Sequence, residues 1–326
     1  MISVVVMAGY KPSEIEDYKR QLKYYREKYT EKGYKALKEF KVREGGRIVR
    51  RPLIEFVLRK IDDIFDVNDV VIVGDRKKLQ EKLSDWFASS KKKYTLVDQN
   101  DRFSEKILRD FHIDPEQVPY DSIAGNAAKA YALTDACRNR QHALFIASDS
   151  PTTQKKSIEE FIAAAQTLTK EAALIYPMAS MQELPRWRKC FHRKYLFLVN
   201  DTPYKFSNSF TTWFTKREGF RPSCMLLANP FRFDMNRVNL VYSARKMVSS
   251  EVRKRVKEIL YSHGFAGIWK RYFMTKDVSI TDGERVVSAV LKGTVKVLPI
   301  RDVDSSYDYD GTKTEEDAIT RFLQEE

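Results

Sequence analysis

Leu144-Phe-Ile-Ala-Ser-Asp-Ser-Pro-Thr152 is the stretch from which the rest of the chain is read. Residues 143–147 form an apolar run. It breaks into Ser148-Asp149-Ser150-Pro151, and a helical pattern begins at Lys155. In an open α/β sheet, ligands collect at the carboxyl ends of strands, where strand turns into helix. An Asp leaving a buried strand there can hold a divalent cation, because hard cations want carboxylate oxygen. The plainer role for Asp149 is to brace the tight turn before Pro151.

Composition sets the outer limits. A chain of 326 residues exceeds the ~100–200 of a usual domain, so one large domain with insertions or two lobes is expected. A hydrophobic content of 43% supplies a core, yet no apolar stretch approaches the ~18 residues of a membrane span. The chain enters Ile2-Ser-Val-Val-Val-Met7 with neither a basic leader nor a small-residue cleavage site, so no signal peptide is expected. Cys137, Cys190 and Cys224 are widely spaced and odd in number, which suits a reducing cytoplasm. The four histidines do not cluster, which argues against histidine-ligated zinc or iron.

Charge says more. The net charge of +13 is unevenly distributed. Residues 10–51 hold 14 Lys/Arg against 7 Asp/Glu, residues 186–221 hold 9 against 2, and residues 237–276 hold 10 against 2. Residues 301–326 reverse the balance, with 3 against 9. Such gathering of cations fits a polyanionic ligand or an anionic surface, although a merely solvated basic face has the same composition.

In chain order, the continuous apolar run 2–7 reads as a strand buried on both faces and ends at Ala8-Gly9. Residues 13–32 read as a helix capped by Ser13, and a Gly45-Gly46 turn follows. Arg51-Pro-Leu-Ile opens a helix to Ile61. Strands at 69–73, 94–97, 143–147 and 172–176 then alternate with helices at 77–87, 124–138 and 155–169. This rhythm predicts an α/β fold, a mainly parallel open sheet with helices on both faces. Residues 178–275 break it, with a hairpin at 195–207, a strand at 224–227 and basic helical stretches. A helix at 281–291, a strand at 294–300 and a final helix from about Thr314 close the chain.

Two strands thus deliver carboxylates from their carboxyl ends: Asp149, then Asp302 and Asp304. Together with Met7-Ala-Gly9, Lys35-Ala-Leu37 and Arg51-Pro-Leu-Ile-Glu-Phe-Val-Leu58, this ensemble resembles the MobA-like nucleotidyltransferases of GT-A-like fold. In that family, Ser148-Asp149-Ser150-Pro151 would match the Gly-Asp-x-Pro metal element. Asp302-Val-Asp-Ser-Ser-Tyr-Asp308 would match the C-terminal acidic element. Gly125-Asn126 sits where relatives carry a turn that contacts base or acceptor. The resemblance covers about residues 1–177 and 294–322. It departs at the phosphate loop, where Gly9 is followed by Tyr10 and a helical insertion over about 10–34.

The resemblance implies three parts: an α/β nucleotide-binding half over 1–177, an inserted basic acceptor lobe over 178–293, and a metal loop with the closing helix over 294–326. It implies Mg²⁺-dependent transfer of NMP from an NTP to a small phosphorylated acceptor of sugar-, alditol- or inositol-phosphate type, releasing pyrophosphate. Asp149 and Asp304 would hold Mg²⁺, and Lys35 would neutralise phosphate charge. Ala8, Gly9, Arg51, Gly125 and Asn126 would contact the nucleotide, with Arg47 assisting. Two other classes stay open: a GT-A-type glycosyltransferase consuming a nucleotide-sugar, and a catalytically degenerate protein at a membrane or nucleic-acid surface. Basic and aromatic residues at 252–257 and 268–274 suit peripheral membrane contact, while no nucleic-acid module is evident. A cytoplasmic protein, docking at the inner face of the membrane in the peripheral case, is the expected setting.

Overall fold

Val4, Val5 and Val6 are wholly buried in strand β1 (Ile2–Ala8), because apolar layers cover the sheet on both faces. A strand covered on both sides has no solvent face to alternate with, and its sequence is therefore an unbroken apolar run. The protein, seen as a computed structural model, is described over residues 1–9, 34–180, 197–198, 219–246, 250–268, 279–300, 304–306, 309 and 311–325. The helix expected at 13–32 and most of the basic stretch 186–221 lie outside these residues, as do Asp302 and Asp308. So does most of the hairpin expected at 195–207.

After a 3-10 turn (Lys35–Leu37), a separate two-stranded hairpin forms from β2 (Glu39–Glu44) and β3 (Arg47–Pro52). Helix α1 (Leu53–Asp62) follows, with Pro52 at its N-cap. Then come β4 (Val67–Gly74), α2 (Arg76–Ser89), β5 (Lys93–Asp98) and α3 (Glu105–Asp110). Helices α4 (Ile123–Tyr131) and α5 (Asp135–Arg138) lead into β6 (Ala143–Ala147), followed by α6 (Lys155–Gln166) and β7 (Leu174–Ser180). The span 124–138, expected as one helix, is thus two. Thr134 interrupts it by accepting the Cys137 N–H on its side chain, a new cap that starts α5.

The remaining elements are β8 (Phe197–Leu198), β9 (Gly219–Pro222), β10 (Met225–Ala228), α7 (Val238–Lys246), α8 (Ser250–Ser262), α9 (Ile280–Leu291), β11 (Val295–Ile300) and α10 (Lys313–Glu325). The nine-stranded sheet runs β5-β4-β1-β6-β10-β7-β9-β8, with β11 on the other edge of β7. Among the described residues, seven strands of this sheet point one way and only β9 and β10 run against them. The sheet is therefore mainly parallel, as the alternation predicts. One detail differs: the 178–293 segment threads β10 into the centre of the sheet, antiparallel to both β6 and β7.

Two apolar layers sandwich the sheet. On one face Ile54, Leu58, Leu79, Leu83 and Phe161 pack on Val4, Val6 and Ile146. On the other, Phe111, Ala128 and Tyr131 pack on Val5, Val71 and Phe145. A third cluster joins Phe40 and Leu53 to Tyr309, Ile319 and Phe322, tying the hairpin and α1 to the closing helix. Phe40 and Tyr309 meet edge to face with ring centroids 5.4 Å apart.

Candidate functional site

At the carboxyl edge of the sheet, β1 and β6 lie side by side, with Met7 opposite Ala147, and the Ser148 N–H bonds the Met7 carbonyl at 3.1 Å. Asp149 follows directly. Lys35 reaches it from the 3-10 turn, and the two side chains form an ion pair that is mostly shielded from solvent. Residues more than a hundred positions apart thus meet where the fold directs ligands.

Tyr34 is what sets Lys35 in place, and nothing in the sequence singled it out. Its buried hydroxyl donates to the Ala8 carbonyl and accepts the Asp75 N–H at 3.2 Å, bridging the ends of β1 and β4. Burial holds this phenol well above the ordinary tyrosine range, so it stays protonated and keeps donating.

The turn carrying Asp304 comes back to the same place. The chain leaves β11 on one edge of β7 and returns to the Asp149 loop. The Thr152 hydroxyl donates to the Asp304 carbonyl at 2.7 Å, and the Tyr309 N–H donates to the Asp149 carbonyl at 2.7 Å. A break between β9 and β10 receives this crossing. There the Cys224 N–H and the Ser223 hydroxyl both reach the Ser305 carbonyl, at 2.7 and 3.1 Å. Asp304 Oδ1 is itself buried.

Gly9, the residue after β1, is hemmed in by two amide side chains. A Cβ there would sit 3.2 Å from Asn126 Nδ2 and 3.6 Å from Gln99 Oε1. Asn126 is buried. Its Nδ2 donates to the Asp121 carbonyl at 3.4 Å, and among the described residues its Oδ1 has no hydrogen-bond partner. A buried acceptor left unsatisfied costs free energy, which a donor from a ligand would recover. Gly125 serves the backbone instead. Its N–H is capped by Ser122 Oγ at 3.1 Å, and a Cβ would stand 2.5 Å from the Pro119 carbonyl, so only glycine fits.

Gln99 belongs to a turn held by a residue the sequence did not flag. Buried Lys129 donates to the carbonyls of Asp98, Gln99 and Asp101 at 3.2, 2.7 and 2.9 Å, which matches its three donors. Burial pushes its ammonium down to about 8, while Asp101, Asp98 and Asp121 pull the other way.

Arg51 is differently employed from the expected nucleotide contact. Its guanidinium is bound by both carboxylate oxygens of Glu44 and by Glu55, bracing the hairpin against α1. The hydrogen bonds to Arg51 hold the Glu44 carboxyl below its usual range. A phosphate reaching Arg51 would have to share a guanidinium already held by two carboxylates. Arg47 is exposed on the hairpin.

Among the described residues no group of three or more His, Cys, Asp or Glu gathers. Asp149 and Asp304 offer hard carboxylate oxygens from two turns hydrogen-bonded to each other. One or two carboxylates with retained waters is how Mg²⁺ is commonly held.

A doubly covered α/β sheet with polar groups converging at its carboxyl edge is the class these observations define. No family model matches the chain, and no curated protein matches it. Solved structures do. A hypothetical transferase from Thermus thermophilus aligns over 94% of this chain and 96% of its own, with 17% identity and a TM-score of 0.50. A 4-diphosphocytidyl-2C-methyl-D-erythritol synthase from Anaerococcus prevotii aligns over 99% and 98%, with 9% identity and a TM-score of 0.47. The first likeness is one of fold. Among the described residues, no helix is long and apolar enough to cross a membrane.

Proposed function

We propose that the protein is a Mg²⁺-dependent nucleotidyltransferase, moving NMP from an NTP to a small phosphorylated acceptor with release of pyrophosphate. One observation carries this reading: Lys35 and Asp149 meet at the exit of β6, against the turn that carries Asp304. Nucleotidyl transfer brings an anionic acceptor to an anionic phosphate, so its barrier falls mainly through positioning and charge neutralisation. Asp149 and Asp304 would hold the ion, which supplies charge neutralisation and alignment of phosphate oxygens. Lys35 is a cation that the chain itself brings to the site. Turning from Asp149 to a bound phosphate, it would offset negative charge on the leaving pyrophosphate. Asn126 Oδ1 and the Gln99 turn would receive a donor-bearing edge of the nucleotide base, and Gly9 allows the close approach.

The test mixes each of the four NTPs and Mg²⁺ with a panel of sugar, alditol and inositol phosphates and follows pyrophosphate release. One productive pair is expected. Asp304→Asn should raise the Mg²⁺ concentration needed for half-maximal rate by roughly tenfold or more. Undiminished turnover in Asp149→Ala would refute the assignment of the site.

A further inference from the structure

The β2–β3 hairpin stands outside the central sheet and has two unlike faces. Phe40 and Val42 pack into the cluster under α10. The opposite face carries Lys41, Arg43, Ile48 and Arg50, all exposed. In the ladder Lys41 lies directly across from Arg50, and Arg43 directly across from Ile48. Like charges placed opposite each other destabilise a strand pair. The hairpin's own carboxylates do not relieve them, because Glu39 is taken by Lys82 and Glu44 by Arg51. Among the described residues, Lys41, Arg43 and Arg50 make no ion pair. The tip is open as well. Gly45 and Gly46 both have positive φ, as a tight hairpin turn requires, and a Cβ on either would meet nothing within 4 Å.

A row of uncompensated cations looks for an anionic partner, and Ile48 narrows the choice. Its side chain is 65% exposed between Arg47 and Val49, on the same face as the cations. A nucleic-acid backbone would satisfy the cations and leave the isoleucine in water. A lipid interface takes both, with headgroup phosphates for the cations and the acyl boundary for the apolar side chain.

We propose that this outer hairpin face docks the protein onto an anionic phospholipid surface. The hairpin leaves the fold just after the turn that carries Lys35. It rejoins where the Leu53 N–H bonds the Lys38 carbonyl at 2.8 Å, so docking would hold the carboxyl edge of the sheet near the membrane. The inference stands independently of the transferase reading.

Cosedimentation with vesicles of phosphatidylcholine, with and without phosphatidylglycerol, tests it on the full chain. Binding is expected only to the phosphatidylglycerol vesicles, and it should weaken as salt rises. The Lys41→Gln/Arg43→Gln/Arg50→Gln variant should lower the partition coefficient on the order of a hundredfold. Arg50→Gln alone should lower it roughly fivefold, which carries the test if the triple variant melts early. Ile48→Ser should weaken binding several-fold while leaving the salt dependence in place. Wild-type partitioning by these variants, or equal binding to phosphatidylcholine alone, would overturn the proposal. So would a triple variant that loses affinity for RNA or duplex DNA while its vesicle binding is unchanged.

Discussion

The two ends of the parallel strands treat their polar groups in opposite ways. At the amino ends, Ser3 and Asp69 face each other on β1 and β4, and their side chains bond at 2.6 Å. Asp69 also accepts the Asp135 N–H at 3.1 Å, and Ser3 accepts the Ala136 N–H at 2.9 Å, so the network caps α5 and is closed. Burial raises the Asp69 carboxyl while the Ser3 hydroxyl opposes it. At the carboxyl ends, the Lys35–Asp149 pair is shared between turns, and Asn126 Oδ1 has no partner among the described residues. The Ser3–Asp69 network is consumed as structure at one edge, although the neighbouring Asn68 Oδ1 is also buried with no hydrogen-bond partner among the described residues, and the Lys35–Asp149 pair lies at the other. That division is the physical reason for looking at the carboxyl edge for function.

Substitutions should separate the two edges. The largest effect is expected from Asp149→Ala: a loss of about a thousandfold or more in the proposed transfer rate, with a melting temperature close to wild type. Lys35→Ala should follow it in direction. The amino edge should respond the other way. Asp69→Ala strands two donors and should cost about 1–3 kcal/mol of stability by denaturant titration, with the rate per folded molecule preserved. If both variants lost stability and neither lost rate, the contrast between the edges would collapse.

Lys129→Met sharpens the comparison from within the carboxyl edge. It removes the ammonium that gathers three carbonyls, so amide exchange over residues 98–101 should quicken, and the KM for nucleotide should rise several-fold while kcat changes less. The smallest effect belongs to His142, which lies near the amino edge with Nε2 2.8 Å from the Ala172 carbonyl. Burial, only partly offset by that contact, holds His142 below the ordinary imidazole range. As pH falls through that range, the unfolded chain takes up the proton first, so the stability present above it should decline. His142→Gln should flatten this slope in melting curves recorded across mildly acidic pH.

Much of this architecture was legible because buried parallel strands advertise themselves. Val4–Val6 and Leu144–Ile146 are unbroken apolar runs ending in small or polar residues, and helical patterns separate them. Asp149 was legible as a charged residue at such a strand end, Lys35 only through the likeness of Lys35-Ala-Leu37 to a known family's motif, and the two meet in space. Periodicity marked a strand at 224–227 but could not place it as β10, since four apolar residues carry no mark of which strands they will pair with. Nor could it show that Lys129, in Ala-Ala-Lys-Ala-Tyr, is buried, because its partners are carbonyls about 30 positions earlier. The Arg51 link to Glu55 was available as an i, i+4 spacing, but Glu44 joins it only through the hairpin register. The break in the expected 124–138 helix was also written locally, in the Thr134-Asp135 cap signal.

The central position of β10 has a consequence for how the protein is born. While a ribosome is still translating the chain beyond residue 180, β6 has β1 on one flank and open water on the other. The strand leading to Asp149 is then an apolar ribbon with unpaired amides, the kind of margin on which nascent chains stick to one another. Only when residues 225–228 emerge and slide in against the grain is that margin sealed. A fragment cut short of them should precipitate or bind chaperones, however complete its first half looks on paper.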